Sequence, residues 1–190
     1  MQHSIDEPVV VYTSFGPEPV QLMDARAPHQ NVATIRVSFP LDAAVTSERV
    51  YVCHERKLSV YDRRAPHRAM DEFLHRQTVR NVRLHPANPS VVFTSTHGES
   101  LMQRDCAVRA FDASTGKLRG AALDFTSAVR SLSACGDFAI AIGQKEHAKL
   151  ISTSGEELFH VNGHFIDCDV EYGRAVLLDG AKSELMVLQW

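Results

Sequence analysis

The residues of this sequence that could bind a metal or act as nucleophiles include ten histidines and four cysteines. The densest group of metal-ligand types is a single short run: His160, His164, Asp167, Cys168 and Asp169. A zinc site needs three or four closely clustered ligands, and Gly163 would break a helix that placed both histidines on one face. A turn between two strands accounts for the same residues, so we predict no metal and no cofactor.

The sequence also contains few arrangements of residues that are typical of catalytic sites. Neighbouring carboxylates occur as three pairs: Asp6 with Glu7, Asp71 with Glu72, and Glu156 with Glu157. Adjacent residues of a strand point to opposite faces, whereas general acid–base catalysis requires carboxylates that face each other across a cleft. Cys53 precedes His54, but a buried thiol beside a turn is the simpler interpretation. Because the sequence also lacks a Gly-x-Ser-x-Gly motif and a phosphate-binding glycine loop, we predict that the protein is not an enzyme.

The elements that must position these residues recur along the chain. Similar strand ends follow one another at intervals of 38, 50, 40 and 37 residues, at Asp24, Asp62, Asp112, Ser152 and Gln189. The six-residue tails that begin at Asp24 and Asp62 differ at one position. We expect the carboxylates of Asp24, Asp62 and Asp112 to accept backbone N–H bonds in the turns that follow.

A repeat of about 40 residues with four short strands predicts an all-β fold of β-propeller blades, because one such sheet buries its faces only against its neighbours. The predicted units are 1–40, 41–76, 77–125, 126–162 and 163–190, within a single domain 1–190. In this register the chain begins at the second strand of the first unit and ends after the third strand of the last. Alternatively, the first extended segment supplies the missing strand of the last unit. About four to five units predict a small, open or partial propeller.

The third unit carries the clearest pattern. We interpret 91–96 as a strand with a two-residue period, in a sheet that packs against neighbouring units. An insertion at 99–104 lengthens the hairpin that follows.

These residues resemble the WD40-repeat family. Residues 79–112 are similar to one degenerate repeat, with Leu84-His85-Pro86 ending its first strand and Phe111-Asp112 standing where the family has Trp-Asp. Tyr61-Asp62 and Met23-Asp24 are variants of the same pair, and Gly163-His164 resembles the family's Gly-His dipeptide. No Trp-Asp pair occurs in the sequence.

The remaining candidates for a binding site are arginines. Arg80 and Arg130 each follow a valine near the start of a predicted innermost strand. The resemblance implies that such positions lie near the axis or a rim, where the family binds acidic or phosphorylated peptides. We therefore take Arg80, His97, Arg130 and His164 as a candidate interaction rim, with solubilising charge as the alternative interpretation.

Composition narrows the classes of partner. The 190 residues are 44% hydrophobic, which is typical of a globular protein, and the net charge of −3 does not favour a nucleic-acid partner. No apolar run is long enough for a membrane span and residues 1–8 form no secretory signal, so we expect an intracellular protein, cytoplasmic or nuclear, with reduced cysteines.

The sequence thus favours a non-enzymatic scaffold for protein–protein interaction, a subunit of a multiprotein complex. Its propeller would be completed by a partner, a second copy or a missing portion of chain, and open blade edges would allow self-association. The alternative is a recognition module that uses the arginine-bearing rim to bind acidic or phosphorylated ligands.

Overall fold

The computed structural model describes residues 2–3, 9–12, 19–24, 26–27, 31–84, 90–98, 106–135, 138–143, 147–171 and 173–189. Within these ranges the chain is all-β, with nineteen strands in five antiparallel sheets. The chain divides into two compact units, residues 1–82 and residues 83–190. The predicted all-β fold of blade-like sheets is confirmed, whereas the predicted unit limits and the single domain remain predictions.

The first unit contains two four-stranded sheets. The first sheet comprises β1 (Gln2–His3), β2 (Val9–Tyr12), β3 (Val20–Asp24) and β4 (Asn31–Ile35), in that order. The second comprises β5 (Pro40–Val45), β6 (Arg49–His54), β7 (Lys57–Asp62) and β8 (Ala69–Leu74).

The third sheet begins at the end of the first unit. It comprises β9 (Thr78–Leu84), β10 (Val91–His97), β11 (Cys106–Asp112) and β12 (Leu118–Phe125). The fourth comprises β13 (Val129–Cys135), β14 (Phe138–Gly143), β15 (Ala148–Ser152) and β16 (Glu157–Val161). The fifth has three described strands, β17 (Phe165–Glu171), β18 (Arg174–Asp179) and β19 (Glu184–Gln189).

One element contradicts the predicted register. The chain does not begin at the second strand of a unit, because β1 pairs antiparallel with β2, Gln2 opposite Val11 and His3 opposite Val10. The first extended segment therefore belongs to the first sheet. A two-residue strand of polar residues has no hydrophobic period, which is why the sequence pattern missed it.

Each hydrophobic core lies between successive sheets. In the first unit, Leu22 and Ile35 pack with Val50 and Val52 of the second sheet. In the second unit, one cluster joins the third and fourth sheets and another joins the fourth and fifth. Middle strands are therefore covered on both faces, as the stacking of units predicts, and all six residues of 91–96 are buried. The predicted insertion at 99–104 and residues His85 and Pro86 lie outside the described residues.

Bulges recur at two places in these sheets. The pairing register shifts within the first strands β5, β13 and β17, which leaves one extra residue in each: Leu41, Arg130 and Ile166. It also shifts within the fourth strands β4, β8 and β16, where the extra residues are Val32, Met70 and Leu158. The last three side chains are 59%, 54% and 46% exposed. A bulge redirects a side chain out of the two-residue period, so these positions face solvent although their types are apolar.

Candidate interaction sites

The two arginines of the candidate rim lie near the starts of two first strands. Arg130 is the bulged residue of β13, after Val129, and its side chain is exposed. Arg80 follows Val79 in β9 in the same sequence context and is also exposed. Because bulges re-aim side chains at the edges of sheets, Arg130 is presented to solvent rather than to the core.

The two histidines of the rim differ from each other. His97 ends β10 and is half-buried, and its Nδ1 atom lies buried without a hydrogen-bond partner among the described residues. His164 is exposed, and its backbone carbonyl accepts the N–H of Gly180 at 2.9 Å. Within the described residues, no hydrogen bond or ion pair joins any two of the four rim residues, so the rim remains a prediction.

The strand-end aspartates bind the turns that follow them. The Oδ1 atom of Asp112 accepts the backbone N–H groups of Ser114 and Thr115 at 3.0 Å each, and Oδ2 accepts a guanidinium N–H of Arg119 at 3.0 Å. The hydroxyl of Ser114 and the guanidinium of Arg119 are the main causes that hold the pKa of Asp112 below its usual value. Such carboxylates fix the turns and are occupied by the chain itself.

Asp24 and Asp62 have the same arrangement. Asp24 accepts the backbone N–H of Arg26 at 2.9 Å, and the Arg26 guanidinium lowers the pKa of Asp24 to about 2. Asp62 accepts the backbone N–H of Arg64 at 2.8 Å.

The residue after each first-strand bulge links neighbouring sheets. Asp42 of β5 accepts the backbone N–H of Val82 in β9 at 3.0 Å. In the second unit, the Ser131 hydroxyl of β13 donates to Asp167 of β17 at 2.7 Å, and Ser133 donates to Asp169 at 2.7 Å. Sequence reasoning assigned Asp167 and Asp169 to a candidate metal group, whereas the structure gives them hydroxyl donors on the adjacent sheet.

Cys168, between these two aspartates, is a poor metal ligand and nucleophile. Burial raises the pKa of its thiol to about 12, so the thiol is protonated at neutral pH. Its sulfur lies 3.7 Å from the backbone carbonyl oxygen of Ile140. In the part of the chain that the structure describes, no three His, Cys, Asp or Glu side chains form a group that could hold a metal ion.

One serine–histidine pair was not identified from the sequence. The Nε2 atom of His54 lies 2.7 Å from the Ser59 hydroxyl, and the Ser59 side chain is wholly buried. Burial lowers the pKa of His54. A hydroxyl without solvent access cannot attack a substrate, so this pair is a core hydrogen bond of the second sheet.

The fifth sheet presents an apolar outer strand. Leu185 and Val187 of β19 are 68% and 56% exposed, and they share a face with Leu178 and Val176, their partners in β18. The third strands of other sheets are mostly buried, as in β7 and β15. Those strands pair with a fourth strand on their far side, and β19 has no such partner among the described residues.

A cleft of about 570 Å³ opens in the first unit beside β8. Its basic lining residues are Arg36, His67 and Arg68, all exposed, and Tyr61 and Met70 line it as well. A smaller cleft of about 200 Å³ shares Met70 with it. This site was not predicted from the sequence, because Arg36 and Arg68 lie 32 positions apart and each alone is typical of an exposed charged residue.

The chain resembles solved structures in fold. It aligns with the computationally designed Ika8 protein at 12% identity and a TM-score of 0.76, covering 97% of this chain and 56% of that one. It aligns with the designed Ika4 protein at 13% identity and 0.67, covering 79% and 90%. A chain from the mitotic checkpoint complex matches at 13% identity and 0.73, covering 96% and 59%.

These likenesses concern the fold alone, which fits a WD40-like arrangement of four-stranded blades. The chain spans a little over half the length of two of these three neighbours. No family model and no curated protein matches the sequence. In the described part of the chain, no helix has the length and apolar character required to cross a membrane.

Proposed function

We propose that this protein is a non-enzymatic interaction scaffold of the WD40-like kind, and that the fifth sheet receives a strand from a protein partner. The observation that carries the proposal is the exposed strand β19. Its sheet has three described strands where the other four sheets have four. An unpaired edge offers a row of backbone donors and acceptors to an incoming chain.

The side chains of β19 support strand addition. Leu185 and Val187 form an exposed apolar pair on one face, while Leu188 packs against the core of the second unit. Burying a Val or Leu side chain completely contributes about 1.5–3 kcal/mol, so covering two side chains that are more than half exposed contributes about 2–4 kcal/mol. That energy corresponds to roughly 30- to 1000-fold in Kd.

The test is to place lysine at both positions, since edge lysines oppose strand pairing. We expect the tagged wild-type protein to copurify with a stoichiometric partner, or to form a discrete dimer by light scattering over a concentration series. Leu185→Lys with Val187→Lys should abolish that association. Leu118→Lys is the matched control, because Leu118 is 45% exposed but lies in β12 of the third sheet.

Two results would contradict the proposal. One is a wild-type protein that remains a monomer and copurifies with nothing in stoichiometric amount. The other is an association that the two lysines in β19 and the control lysine at Leu118 reduce equally. Circular dichroism of all variants would verify that each retains its β-sheet content.

A further inference from the structure

The cleft beside β8 has the size of a binding site. Its volume of about 570 Å³ falls within the range of roughly 300–1,000 Å³ that is typical of ligand sites. All of its lining residues belong to the first unit. One wall is formed by Thr34 and Arg36 at the end of β4, and the other by residues 66–72 of the second sheet.

The bulge in β8 shapes this cleft. Val60 of β7 pairs with Asp71 and Tyr61 pairs with Ala69, so Met70 is the extra residue between them. Its side chain is 54% exposed and lines both the large cleft and the small one. Met70 therefore contributes an exposed apolar side chain to both clefts.

The backbone at this site favours an extended polypeptide. β8 is the last strand of its sheet and hydrogen-bonds to β7 alone within that sheet. Its outer edge therefore carries amide and carbonyl groups that another extended chain can pair with. Met70, Pro66 and the ring of Tyr61 add apolar lining for side chains of such a ligand.

The charges of the cleft set the chemistry of the ligand. Arg36, His67 and Arg68 make no hydrogen bond or ion pair through their side chains within the described residues. Of the two acidic lining residues, Glu72 is bound by Lys57 at 2.8 Å, and that hydrogen bond lowers the pKa of Glu72. Among the lining side chains without a partner, two carry a guanidinium group and one, Asp71, carries a carboxylate. The cleft therefore has a net positive charge.

We infer that this cleft binds an extended acidic segment of a polypeptide, whose anionic side chain lies between Arg36 and Arg68. Guanidinium groups form bidentate hydrogen bonds with carboxylate and phosphate groups alike. The anionic group is therefore a Glu or Asp carboxylate or a phosphorylated side chain, and the experiment separates these two sources. The site is distinct from the rim predicted at Arg80 and Arg130 and from the edge of β19.

The experiment measures fluorescence anisotropy of labelled peptides in which an anionic residue alternates with valine. The probes are a Glu peptide, its isosteric Gln counterpart and a phosphoserine peptide. We expect the Glu or phosphoserine peptide to bind in a salt-sensitive way, and Arg36→Gln and Arg68→Gln each to weaken binding roughly tenfold. Arg76→Gln is the matched control, because Arg76 is exposed in the same unit but does not line the cleft.

Tighter binding of the phosphoserine peptide would assign the site to a phosphorylated side chain, and tighter binding of the Glu peptide to a carboxylate. Three results would overturn the inference: no binding of either anionic peptide, equal binding of the Gln peptide, or an effect of Arg76→Gln as large as that of the cleft variants. Tighter binding of a labelled oligothymidylate than of both anionic peptides would overturn it too.

Discussion

Replacing Gly120 with alanine is the most direct test of how the third and fourth sheets fit together. Gly120 lies in β12 with a φ of +71°, a conformation that side chains disfavour. A Cβ atom at this position would overlap the backbone carbonyl oxygen of Ser154, in the turn between β15 and β16. Gly155 makes the reciprocal contact, since a Cβ there would lie 2.7 Å from the carbonyl oxygen of Arg119.

The magnitude follows from two contributions. The left-handed backbone costs alanine about 1–2 kcal/mol, and displacing a packed backbone carbonyl costs about 1–3 kcal/mol. Together Gly120→Ala should lower the free energy of unfolding by about 2–5 kcal/mol, a large share of the roughly 5–15 kcal/mol that holds a domain folded. At a slope of about 2 kcal/mol per molar urea, the midpoint should fall by about 1–2.5 M.

Urea denaturation followed by far-ultraviolet circular dichroism is the assay. Gly116→Ala is the control for the backbone contribution, because Gly116 has a φ of 66° in the turn before β12. Gly120→Ala combined with Gly155→Ala should destabilise less than the sum of the two, since both residues serve one contact. If Gly120→Ala were no more harmful than Gly116→Ala, the close approach of β12 to the turn at Ser154 would be refuted.

Two further predictions concern titratable groups. The pKa of Cys168 is raised to about 12 against an ordinary 9.0, which leaves about a thousandfold less thiolate at neutral pH. Iodoacetamide should therefore alkylate Cys168 far more slowly in the folded protein than in urea, as followed by mass spectrometry. Equal rates would contradict this. The folded pKa of His54 lies below the 6.5 of the unfolded chain, so folding favours its neutral form. The stability that neutral His54 contributes is complete above pH 6.5 and is lost as the pH falls through the folded pKa. His54→Gln should therefore reduce the loss of thermal stability between neutral and mildly acidic pH.

Much of the fold could be predicted from the sequence, because runs of β-branched and aromatic residues between turn residues have few alternatives to strands. For example, the strand-forming runs at 157–161, 138–142 and 174–178 lie in β16, β14 and β18. These strands are middle or outer strands of sheets whose cores require them. The packed strand predicted at 91–96 lies in β10, and because it is covered on both faces its threonines and serine are buried as well.

The candidate sites were harder to predict, because they depend on single extra residues. A bulge adds one residue to a strand and does not change its composition, so the orientation of Met70 and Arg130 could not be read from a two-residue period. The cleft is also lined by two segments that are far apart in the sequence, one with Arg36 and the other with Arg68. No local sequence pattern predicts that these segments line one cleft.

The first strands explain why the repeat is regular in structure and degenerate in sequence. The residue after the bulge is polar in each of the three strands β5, β13 and β17: Asp42, Ser131 and Asp167. Asp42 accepts a backbone N–H of the next first strand, whereas Ser131 and Asp167 bind each other, so a carboxylate or a hydroxyl can make the link between sheets. Because the position requires a hydrogen-bonding group and not one residue type, the link leaves little sequence signature. Arg130, the bulged residue beside Ser131, is exposed and makes no such link within the described part of the chain, so we expect its side chain to be available for recognition.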